Sequence, residues 1–254
     1  MKVIKVINNN KAGEVAGDII LNIVKNKANA ILGLATGSTP ISTYKYLIEK
    51  TKNQKVDWSN IKSFNLDEYK GLSSEHKQSY RYFMNNTFFD HINIDKKNTF
   101  VPDGLIETNE QAAKYDKDIK MAGGIDIQLL GLGINGHIVF NEPGTLFDSI
   151  TSIVDLTQST IEVNSRFFKD KKDVPNQAIS MGLNSIMKAK EIVLIATGKS
   201  KAEAVKHLIE GPISKDWPCT ILLEHPNITV IIDGRSIRIT FLKSFRGFFS
   251  LKFN

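Results

Sequence analysis

The chain has 254 residues, 41% apolar and 24% charged, with one cysteine and a formal charge of +6, enough for a sizeable α/β core and incompatible with an intrachain disulfide. No run of about 18 apolar residues is present, which argues against a membrane span. Five basic and no acidic residues fall in 234–254, so the rest of the chain carries only +1, and no basic helix interleaved with aromatics argues for nucleic acid.

In chain order, 2–7 reads as a strand rather than a signal peptide, followed by an amphipathic helix over 12–26. A strand at 30–35 and a helix at 42–52 come next, then a strand at 61–65 and helices at 79–88 and 111–122. The remaining strands are 125–130, 192–196 and 229–232, with a helix over 201–210 before the last. Several strands are continuously apolar rather than alternating, as in parallel strands covered on both faces. Alternating β and α elements predict an α/β fold: a doubly wound, mostly parallel sheet with helices on both faces. No repeat or linker is visible, so 1–233 reads as one domain and 234–254 as an atypical basic, apolar tail. The lone Cys219 suits a reducing compartment and a cytoplasmic location.

Open α/β sheets bind ligands at the carboxyl ends of their strands, and the polar motifs sit there. The first is LATGSTP at 34–40, a strand-to-helix loop in which Gly37 permits close backbone approach and Ser38 and Thr39 offer hydroxyl and N–H donors. A helix N-terminus of this kind attracts phosphate, although an ordinary capped βα loop has the same look. The string is neither a Walker loop nor a dinucleotide fingerprint. Arg166, in VNSRFF, and Lys201, at the start of a helix whose dipole disfavours a cation, are candidates to complete an anion site; solvated surface charges are the alternative.

The second motif is FNLDEY at 64–69. On an extended chain Asp67 and Glu68 point opposite ways, so one faces the cleft while the other caps a helix or meets solvent. A strand-end carboxylate among aromatics has the setting of a raised-pKa base. The third, GLGINGHIVFNEPG at 131–144, places Asn135, His137, Asn141 and Glu142 in a glycine-rich loop. Histidine exchanges protons near neutral pH, and Glu142 and Asn135 are placed to orient it. No cysteine or second histidine lies close by in sequence, so no metal site is expected there.

The strings LGLATGSTP, FNLDEYKGL, GLGINGHIVFNEPG, NSRFF and ATGKSKAEAV, in this order and spacing over 1–233, closely resemble the glucosamine-6-phosphate deaminases of the glucosamine/galactosamine-6-phosphate isomerase family. The resemblance implies a Rossmann-like fold and conversion of glucosamine 6-phosphate to fructose 6-phosphate and ammonia in amino-sugar catabolism, with no cofactor and a small-molecule substrate as partner, in a monomer or homo-oligomer. By motif, Asp67 is implied as the base between C2 and C1, His137 as the acid at the ring oxygen, and Asn135 and Glu142 as its tuning partners. Gly37, Ser38, Thr39, Arg166 and Lys201 are implied as phosphate ligands.

Three departures stand out. Some members carry aspartate where this chain has Asn135, which predicts a less elevated histidine pKa here. Members activated by N-acetylglucosamine 6-phosphate carry cations in the stretch matching 151–154; TSIV has none, which predicts weak or absent activation. The tail from 234 departs from the family altogether and reads as a divergent end, a membrane-surface segment or an oligomer contact. Rival readings are a 6-phosphogluconolactonase-like hydrolase, an isomerase of another aldose phosphate, and a non-catalytic sugar-phosphate sensor. The Asp67–Glu68 pair and the spacing of Gly136-His137 to Asn141-Glu142 favour the deaminase.

Overall fold

The computed structural model describes residues 1–165, 168, 170, 173–236, 252 and 253. The first half of the chain builds β1 (Lys2–Val6), α1 (Asn9–Asn26), β2 (Ile31–Leu34), α2 (Ile41–Gln54), β3 (Lys62–Asn65), β4 (Asp67–Tyr69), α3 (Tyr80–Thr87), β5 (Thr99–Phe100), α4 (Asn109–Ala112) and α5 (Lys114–Ala122). The second builds β6 (Ile127–Gly131), β7 (Ser152–Asp155), α6 (Gln158–Ser165), β8 (Gln177–Ser180), α7 (Leu183–Met187), β9 (Ile192–Ala196), α8 (Ala202–Glu210), β10 (Ile228–Asp233) and β11 (Lys252–Phe253).

The main sheet runs β11-β1-β10-β9-β6-β2-β3-β5, and every neighbouring pair is parallel. Strand alternation divides its side chains between two cores. On one face Leu32, Leu34, Ile127, Leu129, Val193 and Ile195 meet the apolar stripes of α1, α2 and α3. On the other, Leu130, Ile192, Leu194 and Val230 meet α7 and α8, with Ile119 of α5 packed alongside. That burial on both faces is why β2 and β9 are apolar throughout and why every residue of β10 is buried, Thr229 and Asp233 included. The doubly wound sheet expected from the sequence is therefore present.

The strand order reverses direction between β2 and β6. After β2 the chain moves outward to β3; after β6 it moves the opposite way, toward β9. Loops leaving the carboxyl ends of these two strands diverge and open a crevice.

A second sheet, β4-β8-β7, is antiparallel and was absent from the sequence-based reading. Its strands are short, and β4 follows β3 after a single residue, Leu66, so the two look like one run. The helix expected over 111–122 is instead two: a capping box between Thr108 and Gln111 starts α4, and α5 begins after Ala113. The tail from 237 to 251, and residue 254, lie outside the described residues; β11 pairs with β1 at Ile4 and Lys5. No helix among the described residues is long and apolar enough to cross a membrane.

Candidate active site

The crevice at the β2–β6 switch point is a cavity of about 560 Å³, lined by the loops after β2, β3, β6 and β9 and by α6. Four of the contributing stretches leave the carboxyl ends of parallel strands, and α6 and Tyr80 of α3 close the cavity from outside the parallel sheet.

The β2 loop contributes Gly37, Ser38 and Thr39, all of which line the cavity. Gly37 sits at φ 85, in the left-handed region where a Cβ is strained. Pro40 is the N-cap of α2, and no side chain caps that helix. The first-turn N–H groups therefore lack an internal partner and present the positive end of the dipole. The loop is held by Tyr44, whose hydroxyl donates to Ala35 O at 2.5 Å. Lys201 enters from the β9 side as the N-cap of α8, and burial pushes its ammonium below the ordinary lysine pKa. A cation at a helix start, partly stripped of water, gains from an anion beside it. Arg166 lies outside the described residues.

Asp67 and Glu68 divide as strand geometry requires. Asp67 faces the cavity, and Thr36 Oγ1 donates to its Oδ1 at 3.4 Å. Only 6% of it is exposed. Burial, reinforced by the adjacent Glu68 charge, pushes its carboxyl from an ordinary 3.8 to about 8. Glu68 turns away and caps α3. Its Oε1 accepts from Tyr69 N and Tyr80 N at 2.8 Å each, and its Oε2 from Arg81 N at 3.0 Å. Burial still raises Glu68 to about 7 against those donors.

The β6 loop carries a directional relay. Asn135 Nδ2 donates to Glu142 Oε2 at 2.8 Å. A carboxylate only accepts, so the amide nitrogen must face Glu142 and the amide oxygen must face His137. That oxygen accepts from His137 N at 3.3 Å and lies 2.7 Å from His137 Nδ1. Nδ1 therefore bears the hydrogen, and the neutral ring keeps its lone pair on Nε2. Burial is the main reason the imidazole sits below its ordinary pKa of 6.5; Glu142, 3.6 Å from Nδ1, opposes this and Lys201 adds to it. The expectation that this histidine is less elevated than in members with aspartate in place of Asn135 concerns a comparison between proteins, which the Asn135→Asp variant tests.

The relay depends on close approach. A Cβ at Gly133 would fall 2.3 Å from His137 Nδ1 and 2.4 Å from its Cε1, so any side chain there would displace the ring. Val139 adopts φ 60, an outlier for a β-branched residue that costs about 1–3 kcal/mol. Asn141 holds that turn: its amide donates to Ile138 O at 2.9 Å and to Met181 O at 2.8 Å. Asn141 is thus a buried structural clamp rather than a lining residue.

Thr36, Tyr80, Phe140 and Thr160 also line the cavity and were not singled out from sequence. Thr36 directly precedes Gly37 and could have been found as part of that loop. The others carry no local chemical signature.

A sequence profile described as glucosamine-6-phosphate isomerases/6-phosphogluconolactonase matches residues 9–231. The glucosamine-6-phosphate deaminase of Thermoanaerobacter pseudethanolicus is 53% identical over 234 residues, covering 92% of each chain. That of Mycoplasma mycoides is 53% identical over 245 residues, covering 96% of this chain and all of the relative. Among solved structures, a monomeric glucosamine-6-phosphate deaminase superposes with a TM-score of 0.90 at 43% identity, covering 93% of this chain and 98% of the other. The 6-phosphogluconolactonase of Trypanosoma cruzi shares the fold at a TM-score of 0.72 but only 19% identity. At half identity across almost the whole of each chain, the protein belongs to the glucosamine-6-phosphate isomerase/6-phosphogluconolactonase family, on its deaminase side.

Proposed function

We propose that this cavity converts glucosamine 6-phosphate and water to fructose 6-phosphate and ammonia, with Asp67 and His137 as its working acid–base groups. The observation that carries this reading is the convergence of a raised-pKa aspartate, a tautomer-fixed histidine and an uncapped helix N-terminus on one cavity.

The 6-phosphate docks on the α2 N-terminus, with Ser38, Thr39 and the Lys201 ammonium as donors. It takes no part in the chemistry; its binding energy fixes the sugar. Ring opening needs a proton removed from the anomeric hydroxyl and one delivered to the ring oxygen. His137 Nε2, with its lone pair, takes the first and as imidazolium returns a proton to the second. Asn135 and Glu142 hold the ring in the tautomer that permits this. Asp67 then takes the C2 proton of the open-chain aldehyde while the C2 ammonium gives up a proton and the C1 oxygen gains one, giving an enolamine; Asp67 returns its proton to C1, leaving a C1 hydroxyl and a protonated imine at C2. Water adds to that carbon and ammonia leaves. Carbon is oxidised at C2 and reduced at C1, so the step is internally balanced. Each positioned acid or base contributes roughly 10²–10⁴ in rate.

Arg166 belongs to the same proposal as a phosphate ligand, on its sequence motif alone. A monomer is the assembly favoured by the monomeric relative. A cytoplasmic setting is proposed from the sequence, whose single cysteine, Cys219, rules out an intrachain disulfide and suits a reducing compartment. The test is coupled measurement of ammonia and fructose 6-phosphate from glucosamine 6-phosphate by wild type and Asp67→Asn. Stoichiometric products from wild type and a loss of at least about 10²-fold in the variant are expected. Full activity in Asp67→Asn would remove it from the reaction.

A further inference from the structure

Helix α6 lies beyond the parallel sheet, where its Ile161 packs with Tyr69, Leu156 and Ala178 in a small core of its own. Its first turn nevertheless reaches the acid–base relay. Thr157 caps it, accepting from Thr160 N at 3.3 Å, and donates its own hydroxyl to Thr160 Oγ1 at 2.9 Å. With its oxygen accepting from Thr157, Thr160 has its single hydrogen left for Glu142 Oε1, 3.2 Å away. Glu142 is then held from both sides: Oε1 by α6 and Oε2 by the Asn135 amide.

We infer that Thr160 is a positioning residue for His137: its hydroxyl fixes the Glu142 carboxylate so that Asn135, rather than Glu142 itself, engages the Nδ1 hydrogen. The inference rests on the assignment of His137 as the ring-opening group. Glu142 Oε2 is 3.6 Å from Nδ1, beyond a hydrogen bond but close enough to take one over if the carboxylate turns. Among the described residues, the charged groups facing His137 are Glu142 on its own loop and Lys201 at the start of α8. Removing the Thr160 donor frees Oε1, lets the carboxylate rotate toward the imidazole and favours the imidazolium. The neutral ring needed to accept the anomeric proton becomes scarcer, and its orientation loosens. Thr160 thereby couples the placement of α6 to proton transfer at His137 without touching the reacting atoms.

Thr160→Val removes the hydroxyl at near-constant volume, Thr160→Ser keeps it, and Thr160→Ala serves where valine disturbs α6. Two quantities are read: the NMR titration midpoint of the His137 ring, assigned with His137→Gln, and kcat separately from KM for glucosamine 6-phosphate. In Thr160→Val the midpoint is expected to rise by roughly 0.5–1 pH unit, as for a carboxylate brought closer to an imidazolium. The kcat is expected to fall roughly 5–10-fold, as for loss of one orienting hydrogen bond, with KM within about twofold; Thr160→Ser restores both. An unmoved midpoint with wild-type kcat overturns the inference, and so does a rise in KM alone, which would make the hydroxyl a substrate contact. His137→Gln separates the two levels. If it stays active, the ring-opening assignment fails; if it is inactive while Thr160→Val behaves as wild type, only the role of Thr160 fails.

Discussion

Replacing Asp67 by asparagine should abolish the reaction and at the same time make the protein more stable, increasingly so as the pH rises. The carboxyl is 6% exposed, and burial beside Glu68 lifts it from an ordinary 3.8 to about 8. A group whose folded pKa lies above its unfolded value favours the fold below the unfolded pKa, and that advantage is lost as pH rises through the folded pKa. Between about pH 4 and 8 the unfolded chain ionises Asp67 freely while the folded one resists, so wild type loses stability across that window. At about 1.4 kcal/mol per pH unit the ceiling is roughly 5–6 kcal/mol, and solvent and structural relaxation reduce this to roughly 2–4 kcal/mol. Asparagine has nearly the same volume, and its Oδ1 can still accept from Thr36. Thermal melts of both proteins at pH 5 and pH 8 measure the difference. Asp67→Asn is expected to gain little at pH 5 and about 5–10 °C at pH 8, at roughly 2–4 °C per kcal/mol for a chain of this size. An equal effect at both pH values, or a variant less stable than wild type at pH 8, would refute the reasoning. In the wild type the same carboxyl must be ionised to act as a base, so kcat/KM should climb with pH through about 8.

Other outcomes follow from the same geometry. Asn135→Asp puts a carboxylate 2.7 Å from His137 Nδ1 and should raise the ring's NMR titration midpoint by about 1–2 pH units; an unmoved midpoint would show that this contact does not set the histidine's charge. Gly133→Ala should cut kcat by about 10²-fold, since its methyl group occupies the space of the imidazole, while leaving the melting temperature within a few degrees. Lys201→Ala should raise KM for glucosamine 6-phosphate about 10–100-fold, the worth of one charge-assisted hydrogen bond, with a smaller fall in kcat because His137 loses a neighbouring positive charge that keeps its ring neutral; an unchanged KM would remove Lys201 from the phosphate site. N-acetylglucosamine 6-phosphate should not alter the rate curve, because Ser152, Ile153 and Val154 of β7 offer it no cation; a sigmoidal curve made hyperbolic by that sugar would contradict this.

The sequence exposed the parts of the molecule whose signal is local. Continuous apolar runs at β2 and β9 follow from burial on both faces, and the amphipathic stripe of α1 follows from packing on one. The glycine loops after β2 and β6 were legible because a strand, a tight turn and polar residues stand together. The opposite orientations of Asp67 and Glu68 followed from strand geometry, and the structure shows one lining the cavity and the other capping α3. What stayed hidden depends on partners distant in sequence. In the β4-β8-β7 sheet the β4–β8 pairing joins residues more than a hundred positions apart, and no short strand announces such a partner. Thr160 touches Glu142 only because α6 folds back over the crevice. The amide orientation of Asn135, and with it the tautomer of His137, needed the actual distances to Glu142 and Nδ1.

The central claim is that an anchored phosphate presents C1 and C2 of an amino sugar to Asp67 while His137 opens the ring. A crystal structure with a non-reacting amino-sugar 6-phosphate bound tests it most directly. The phosphoryl group is expected on the α2 N-terminus beside Lys201, the C1–C2 end against Asp67, and the ring oxygen within hydrogen-bond reach of His137 Nε2. A ligand bound with its phosphate elsewhere, or with C2 turned away from Asp67, would contradict it.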